Sequence, residues 1–207
     1  MCQNSEVRKI HACTAFILAG GCSQRMGQDK AALRFQGKPL IQHAINLVSH
    51  FTADMRIVGP PERYESKTPG VPVMADLVES RGPISGILTA LLSTPSSLNL
   101  IVACDMPRIP ITFVDMLFEK VNQADAAAFK SNSGLIEPLC ALYTRNCLPF
   151  INRNFRLKRY QIADSLEQVR VNYISEGELR QMGLHTGIFR SINTRHDFAE
   201  LLGEDSS

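Results

Sequence analysis

Short apolar runs alternate with longer helical patterns along almost the whole of this 207-residue chain, and that alternation limits its fold more than any other feature. Thr14–Ala19, Met55–Gly59, Val71–Met74, Leu98–Cys104, Ala124–Phe129, Pro138–Tyr143 and Ile188–Ile192 read as strands. Helical patterns cover Pro39–His50, Pro83–Leu92, Ile111–Asn122, Arg145–Phe150 and Thr194–Leu202, each opening on Pro, Thr or a similar start signal or closing near a polar break. Strands of this kind, spaced by helices, are buried on both faces. The expected class is therefore α/β, a mostly parallel sheet with helices on both faces. From Asn152 to Gly183 charges cluster, and helix and strand readings compete. The length suits a single domain over residues 1–207, with no linker long enough to divide it and with residues 1–12 and 204–207 as loose tails.

The first apolar run passes directly into Leu18-Ala19-Gly20-Gly21-Cys22-Ser23-Gln24-Arg25-Met26-Gly27-Gln28-Asp29-Lys30. Gly20, Gly21 and Gly27 can take positive φ and let backbone N–H groups close on phosphate oxygens, while Arg25 and Lys30 bring charge to balance a developing pyrophosphate. The loop carries neither G-x-x-x-x-G-K-[ST] nor G-x-G-x-x-G, so it is neither a P-loop nor a dinucleotide fingerprint. A glycine turn beside two solvated cations is the plainer alternative.

Carboxylates follow two later strand runs. Asp105 ends the buried run Leu98–Cys104 and stands where open α/β sheets bind ligands, which makes it the first candidate metal ligand. Asp76 follows Val71–Met74 and precedes Arg81-Gly82-Pro83-Ile84-Ser85-Gly86, a second glycine-bearing connection from strand to helix. Capping of a following turn is the alternative for Asp105, and a surface pair between Glu79 and Arg81 is the alternative use of the loop after Asp76.

Continued through Ala31-Ala32-Leu33 and Gly37-Lys38-Pro39-Leu40, the loop resembles the pattern L-A-G-G-x-S-x-R-M-G-x-D-K, then G-x-P-L, of the molybdenum cofactor guanylyltransferases. The stretches around Asp105 and Asp76 resemble that family's C-D-x-P and D-x-x-x-x-x-G-P-L-x-G. The resemblance implies a Rossmann-like, Mg²⁺-dependent enzyme that transfers GMP from GTP to the terminal phosphate of molybdopterin and releases pyrophosphate. It places Leu18, Ala19, Gly20, Gly21, Lys30, Asp76 and Asp105 at the nucleotide, Asp105 on the magnesium ion, and Arg25, Lys30 and Asp105 in the catalytic machinery. Gly20 points to guanine, because cytidylyl relatives tend to carry L-A-A-G. Ser191-Ile192-Asn193-Thr194 resembles the family's N-x-N-T, departing from it at Ser191, and Thr194 reads equally as a helix N-cap. Glu137-Pro138-Leu139 matches only loosely and takes no role. Arg153, Arg156, Lys158 and Arg159 are candidates for the acceptor phosphate or a solvated helix face.

A formal net charge of +2, with dispersed Lys and Arg, argues against nucleic acid as partner. Met1 to Lys9 is too polar for a signal peptide, and no run nears the eighteen or so apolar residues of a membrane span. A cytoplasmic protein is expected, with GTP and molybdopterin as substrates and molybdoenzyme chaperones or other cofactor-biosynthesis proteins as candidate partners. The six cysteines form no C-x-x-C pair and read as reduced thiols; Cys22, in the loop, has no part in nucleotidyl transfer but is open to alkylation. Three readings compete with guanylyl transfer: cytidylyl transfer to molybdopterin, nucleotidyl transfer to a sugar phosphate, and a nucleotide-binding module without catalysis.

Overall fold

A computed structural model describes residues 12–20, 33–192 and 197. Seven strands form one sheet in the order β5-β4-β1-β6-β8-β7-β9. They are β1 (Thr14–Leu18), β4 (Met55–Val58), β5 (Val73–Met74), β6 (Leu98–Ala103), β7 (Ala126–Lys130), β8 (Ile136–Thr144) and β9 (Val171–Ser175). Neighbours run parallel except at β8, which is antiparallel to both β6 and β7. The sequence expectation of a mostly parallel sheet therefore holds. A small hairpin, β2 (Arg34–Phe35) and β3 (Lys38–Pro39), stands apart. Its two-residue turn has Gln36 at φ 45° and Gly37 at φ 77°, the paired positive values that match the twist of adjoining strands.

Side-chain alternation divides each central strand between two cores. Ala15 and Ile17 of β1, with Leu100 and Val102 of β6, pack under α1 (Leu40–Val48), α4 (Ile111–Lys120) and α7 (Glu176–Gln181). Phe16 of β1 and Ile101 of β6 face the other way, toward α3 (Pro83–Leu92), α5 (Leu148–Arg156) and α6 (Ile162–Leu166). Helices thus cover both faces, and β1 is buried at every position, as a central strand of a doubly covered sheet must be. Each large apolar side chain enclosed this way contributes about 1.5–3 kcal/mol relative to exposure.

Local signals set the helix starts. Gly82, at φ 86°, turns the chain into α3, and Pro83 occupies the first helical position, where no N–H is needed. The short helix α2 (Pro61–Tyr64) likewise opens on proline. Ser175 caps α7 in a capping box with Glu178.

Two expectations need correction. Ile188–Ile192 is not a strand; a 3₁₀ turn covers Thr186–Phe189. The place beside β7 is taken by β9, so the apolar residues serve as a plug instead: Phe189 stacks on Phe129 at 4.5 Å and meets Phe113 edge-on at 4.9 Å. The helix expected at Arg145–Phe150 begins as a 3₁₀ turn, Arg145–Cys147, before α5 runs on to Arg156. The ambiguous stretch resolves into the end of α5, then α6, β9 and α7. Apart from residues 12 and 197, the expected tails and the helix at Thr194–Leu202 lie outside the described residues.

Candidate active site

The parallel strands β5, β4, β1 and β6 deliver their carboxyl ends to one edge of the sheet, and β8, running the other way, brings its amino end there. Asp76 lies beyond β5, Gly20 beyond β1, Asp105 beyond β6, and Glu137 near the start of β8. Open α/β sheets bind ligands outside this edge.

The end of β1 is pinned on both sides. Ala19 N–H donates to the Val58 carbonyl at 2.8 Å, and Cys104 N–H donates to the Leu18 carbonyl at 3.1 Å. The buried Tyr64 hydroxyl of α2 donates to the Ala19 carbonyl at 2.9 Å. Gly59 ends β4 so close by that a Cβ there would lie 3.1 Å from the Ala19 carbonyl carbon. Main chain entering the glycine loop is thereby held by three separate elements.

Asp76 sits against that main chain: a Cβ on Gly20 would stand 3.4 Å from its Oδ2. Helix α3 holds the Asp76 loop with two hydroxyls one turn apart. Thr89 Oγ1 donates to Asp76 Oδ1 at 3.4 Å and accepts from Leu77 N–H at 3.0 Å. Ser85 Oγ donates to the Glu79 carbonyl at 2.9 Å and accepts from Arg81 N–H at 2.7 Å. Burial raises the Asp76 carboxyl above its ordinary pKa, and the Thr89 hydroxyl opposes the rise. Arg81 pairs with Glu79 at 2.5 Å on the exposed surface, as the sequence alternative allowed, and its guanidinium lies 5.9 Å from the centre of the Tyr160 ring.

Asp105 is half-buried. Its carbonyl accepts the Ile192 N–H at 3.0 Å, and the Ile192 side chain is buried with Phe35 and Leu40. Glu137, also half-buried, stands near it. Burial pushes the Glu137 carboxyl up to about 7, the negative charge of Asp105 adds to the rise, and the Leu139 N–H donated to Oε1 at 2.9 Å opposes it.

Of the residues expected at the site, Leu18, Ala19, Gly20, Asp76 and Asp105 come to this one edge. Gly21, Arg25, Lys30, Asn193 and Thr194 lie outside the described residues, as does Cys22. Arg153, Arg156, Lys158 and Arg159 are all exposed around the end of α5. Cys13, Cys104, Cys140 and Cys147 are buried thiols outside any disulfide, and burial pushes Cys13 to about 11 and Cys147 to about 12, far from a reactive thiolate. Thr89 and Tyr64 are not singled out by the sequence, and Glu137 is set aside there as a loose match. Only Glu137 carried a signal, a carboxylate directly before the proline of an apolar run.

The profile of the MobA-like NTP transferase domain matches residues 15–170. A protein of Pelotomaculum thermopropionicum named "Probable molybdenum cofactor guanylyltransferase" is 34% identical over 195 residues, 93% of this chain and 94% of its own. A molybdenum cofactor guanylyltransferase of Syntrophotalea carbinolica is 31% identical over 187 residues, 89% of this chain and 88% of its own. The crystal structure of molybdopterin-guanine dinucleotide biosynthesis protein A from Archaeoglobus fulgidus superposes with a TM-score of 0.79 at 25% identity, covering 93% of this chain and 98% of that one. A sheet edge carrying carboxylates beyond the end of β1 and sequence similarity over nine-tenths of the length agree: the chain belongs to the MobA-like NTP transferase family.

Proposed function

We propose that this protein transfers GMP from GTP to the terminal phosphate of molybdopterin, forming the guanine dinucleotide cofactor and releasing pyrophosphate. The observation that carries the reading is similarity, 31–34% identical over about nine-tenths of the chain, to relatives named for guanylyl transfer. Gly20, the residue that separates the guanylyl from the cytidylyl pattern, agrees with it.

A phosphate oxygen of the acceptor attacks the α-phosphorus of GTP in line; the new P–O bond forms as the bond to pyrophosphate breaks. The acceptor phosphate is already ionised, so no general base is needed. Positioning and charge neutralisation do the catalysis. Arg25 and Lys30 neutralise the α- and leaving phosphates, the main chain of Leu18, Ala19, Gly20 and Gly21 lies along the nucleotide, and Asp76 contacts it beside Gly20. Asp105 would hold Mg²⁺, whose chemistry there is Lewis-acid neutralisation of phosphate charge. The donors suit it: the edge offers hard carboxylate oxygens, and among the described residues no set of three or more His, Cys, Asp and Glu gathers that would make a closed protein cage.

Among the described residues no helix is long and apolar enough to cross a membrane. We place the reaction in the cytoplasm, where GTP is available and free cysteines stay reduced, with molybdoenzyme chaperones as recipients of the product.

The test is pyrophosphate release by the purified protein with Mg²⁺ and molybdopterin-loaded acceptor, with GTP, CTP, ATP and UTP supplied separately. Release with GTP alone is expected. Release with CTP alone would move the protein to cytidylyl transfer, and silence with all four would refute the proposal. Lys30→Ala and Asp105→Ala should each lower the rate about a hundred- to a thousandfold; near-normal turnover would overturn those roles.

A further inference from the structure

We propose that Glu137 is a second carboxylate of the cation site, holding the divalent ion jointly with Asp105. The inference rests on the guanylyl-transfer reading and extends it to a residue that the loop and strand-end motifs do not include.

The adjacency of β6 and β8 is the first support. Strand β6 pairs antiparallel with β8 from Leu98 opposite Thr144 to Val102 opposite Cys140. Past that pairing β6 turns at Cys104 and Asp105 while β8 starts at Ile136, so these neighbouring strands bring Asp105 and Glu137 to one edge, beside the end of β1, close enough for the charge of Asp105 to act on the Glu137 carboxyl. Neighbouring strands lie about 4.8 Å apart, so carboxyl groups at the adjoining ends of β6 and β8 are within reach of one ion. Sheet order adds a direction: β8 lies on the far side of β6 from β1, β4 and β5, so Glu137 flanks Asp105 on the side away from Asp76 and Gly20. An ion held between the two carboxylates would stand between the nucleotide half of the edge and the half left for the acceptor.

Side-chain partners are the second support. Glu137 Oε1 takes the Leu139 N–H, which orients the carboxyl group, and Glu137 makes no ion pair with any described residue. Two neighbouring carboxylates in a half-buried place, with no countercharge on the second among the described residues, are costly as an anionic pair. One dication removes that cost for both, and Mg²⁺ is commonly held by one or two carboxylates with phosphate oxygens and water completing its octahedron.

A purely structural Glu137 is separable from a ligand. Glutamine keeps the side-chain length and an oxygen able to accept the Leu139 N–H, and loses only the charge. Mn²⁺ alone, titrated into the full-length protein and followed by loss of the free-ion EPR signal, reads the site without turnover. Glu137→Gln should weaken Mn²⁺ binding about tenfold with an unchanged urea midpoint. Asp105→Asn should weaken it at least as much, and the double variant should lose less than the product of the two effects, as ligands of one ion do. Glu137→Asp, which withdraws the carboxylate by one methylene, carries the same expectation if the glutamine variant does not fold. Wild-type Mn²⁺ affinity in a folded Glu137 variant, with binding lost in Asp105→Asn and GTP-dependent pyrophosphate release intact in the wild type, overturns the role of Glu137 and leaves guanylyl transfer standing. Absence of Mn²⁺ binding and of pyrophosphate release in the wild type overturns both.

Discussion

Replacing Gly59 by alanine tests how rigidly the end of β1 is held. The added Cβ would stand 3.0 Å from a Tyr64 ring carbon, and 3.1 and 3.2 Å from the carbonyl carbon and oxygen of Ala19. Two of those three neighbours are backbone atoms of a segment tied by the Ala19 N–H to Val58 and by the Tyr64 hydroxyl to Ala19. The third belongs to a side chain only 2% exposed. None can swing aside as a free side-chain tip would, so overpacking should cost about 1–3 kcal/mol. With a urea m-value of about 2 kcal/mol/M, a loss of about 2 kcal/mol lowers the unfolding midpoint by about 1 M. Gly86→Ala is the comparison. Its Cβ would lie 3.2 Å from both methyl groups of Leu18, which can rotate, and alanine within α3 recovers about 1 kcal/mol of helix propensity, so the midpoint should barely move. A Gly59→Ala protein with the wild-type midpoint and slope would refute the rigid-contact argument, and so would an equal loss in Gly86→Ala.

Tyr64→Phe removes the donor to the buried Ala19 carbonyl and should cost about 1–2 kcal/mol in urea unfolding; an unchanged midpoint would show that the bond does not hold the loop entrance. Thr89→Val deletes the hydroxyl that opposes the upward shift of Asp76 and accepts the Leu77 N–H, so the KM for GTP should rise more than kcat falls. A KM equal to the wild type would remove Asp76 from the nucleotide. Glu178 is held at about 2, below its ordinary 4.5, by Lys120 first and then by Ser175. A depressed carboxylate adds stability that is whole above about pH 4.5 and is lost as the pH falls toward 2. Glu178→Gln, which can keep the capping box but not the charge, should therefore flatten the decline in stability between those pH values, and parallel profiles would contradict the assignment.

Local chemistry made the placement of several candidate site residues legible. The end of β1 at Leu18, the aspartates after two apolar runs and the Gly82-Pro83 start of α3 are decided within a few residues, by apolar run length, by positive φ at Gly82 and by the missing N–H of proline. Helix α3 accordingly ends where its pattern predicts. Ile188–Ile192 was misread because apolar composition marks burial without naming the partner. Whether such a segment becomes a strand depends on a free sheet edge, and β9, drawn from the mixed run Val171–Ser175, had taken it. The sequence by itself thus determined the fold class and the place of the two aspartates beyond their strands, because each rests on contacts short along the chain. Only the tertiary structure decided that Glu137 shares a sheet edge with Asp105, that Thr89 steadies Asp76 and that Tyr64 anchors Ala19. Those pairings depend on the antiparallel register of β8 and on how α2 and α3 dock on the sheet, long-range choices made by the packing of the whole chain.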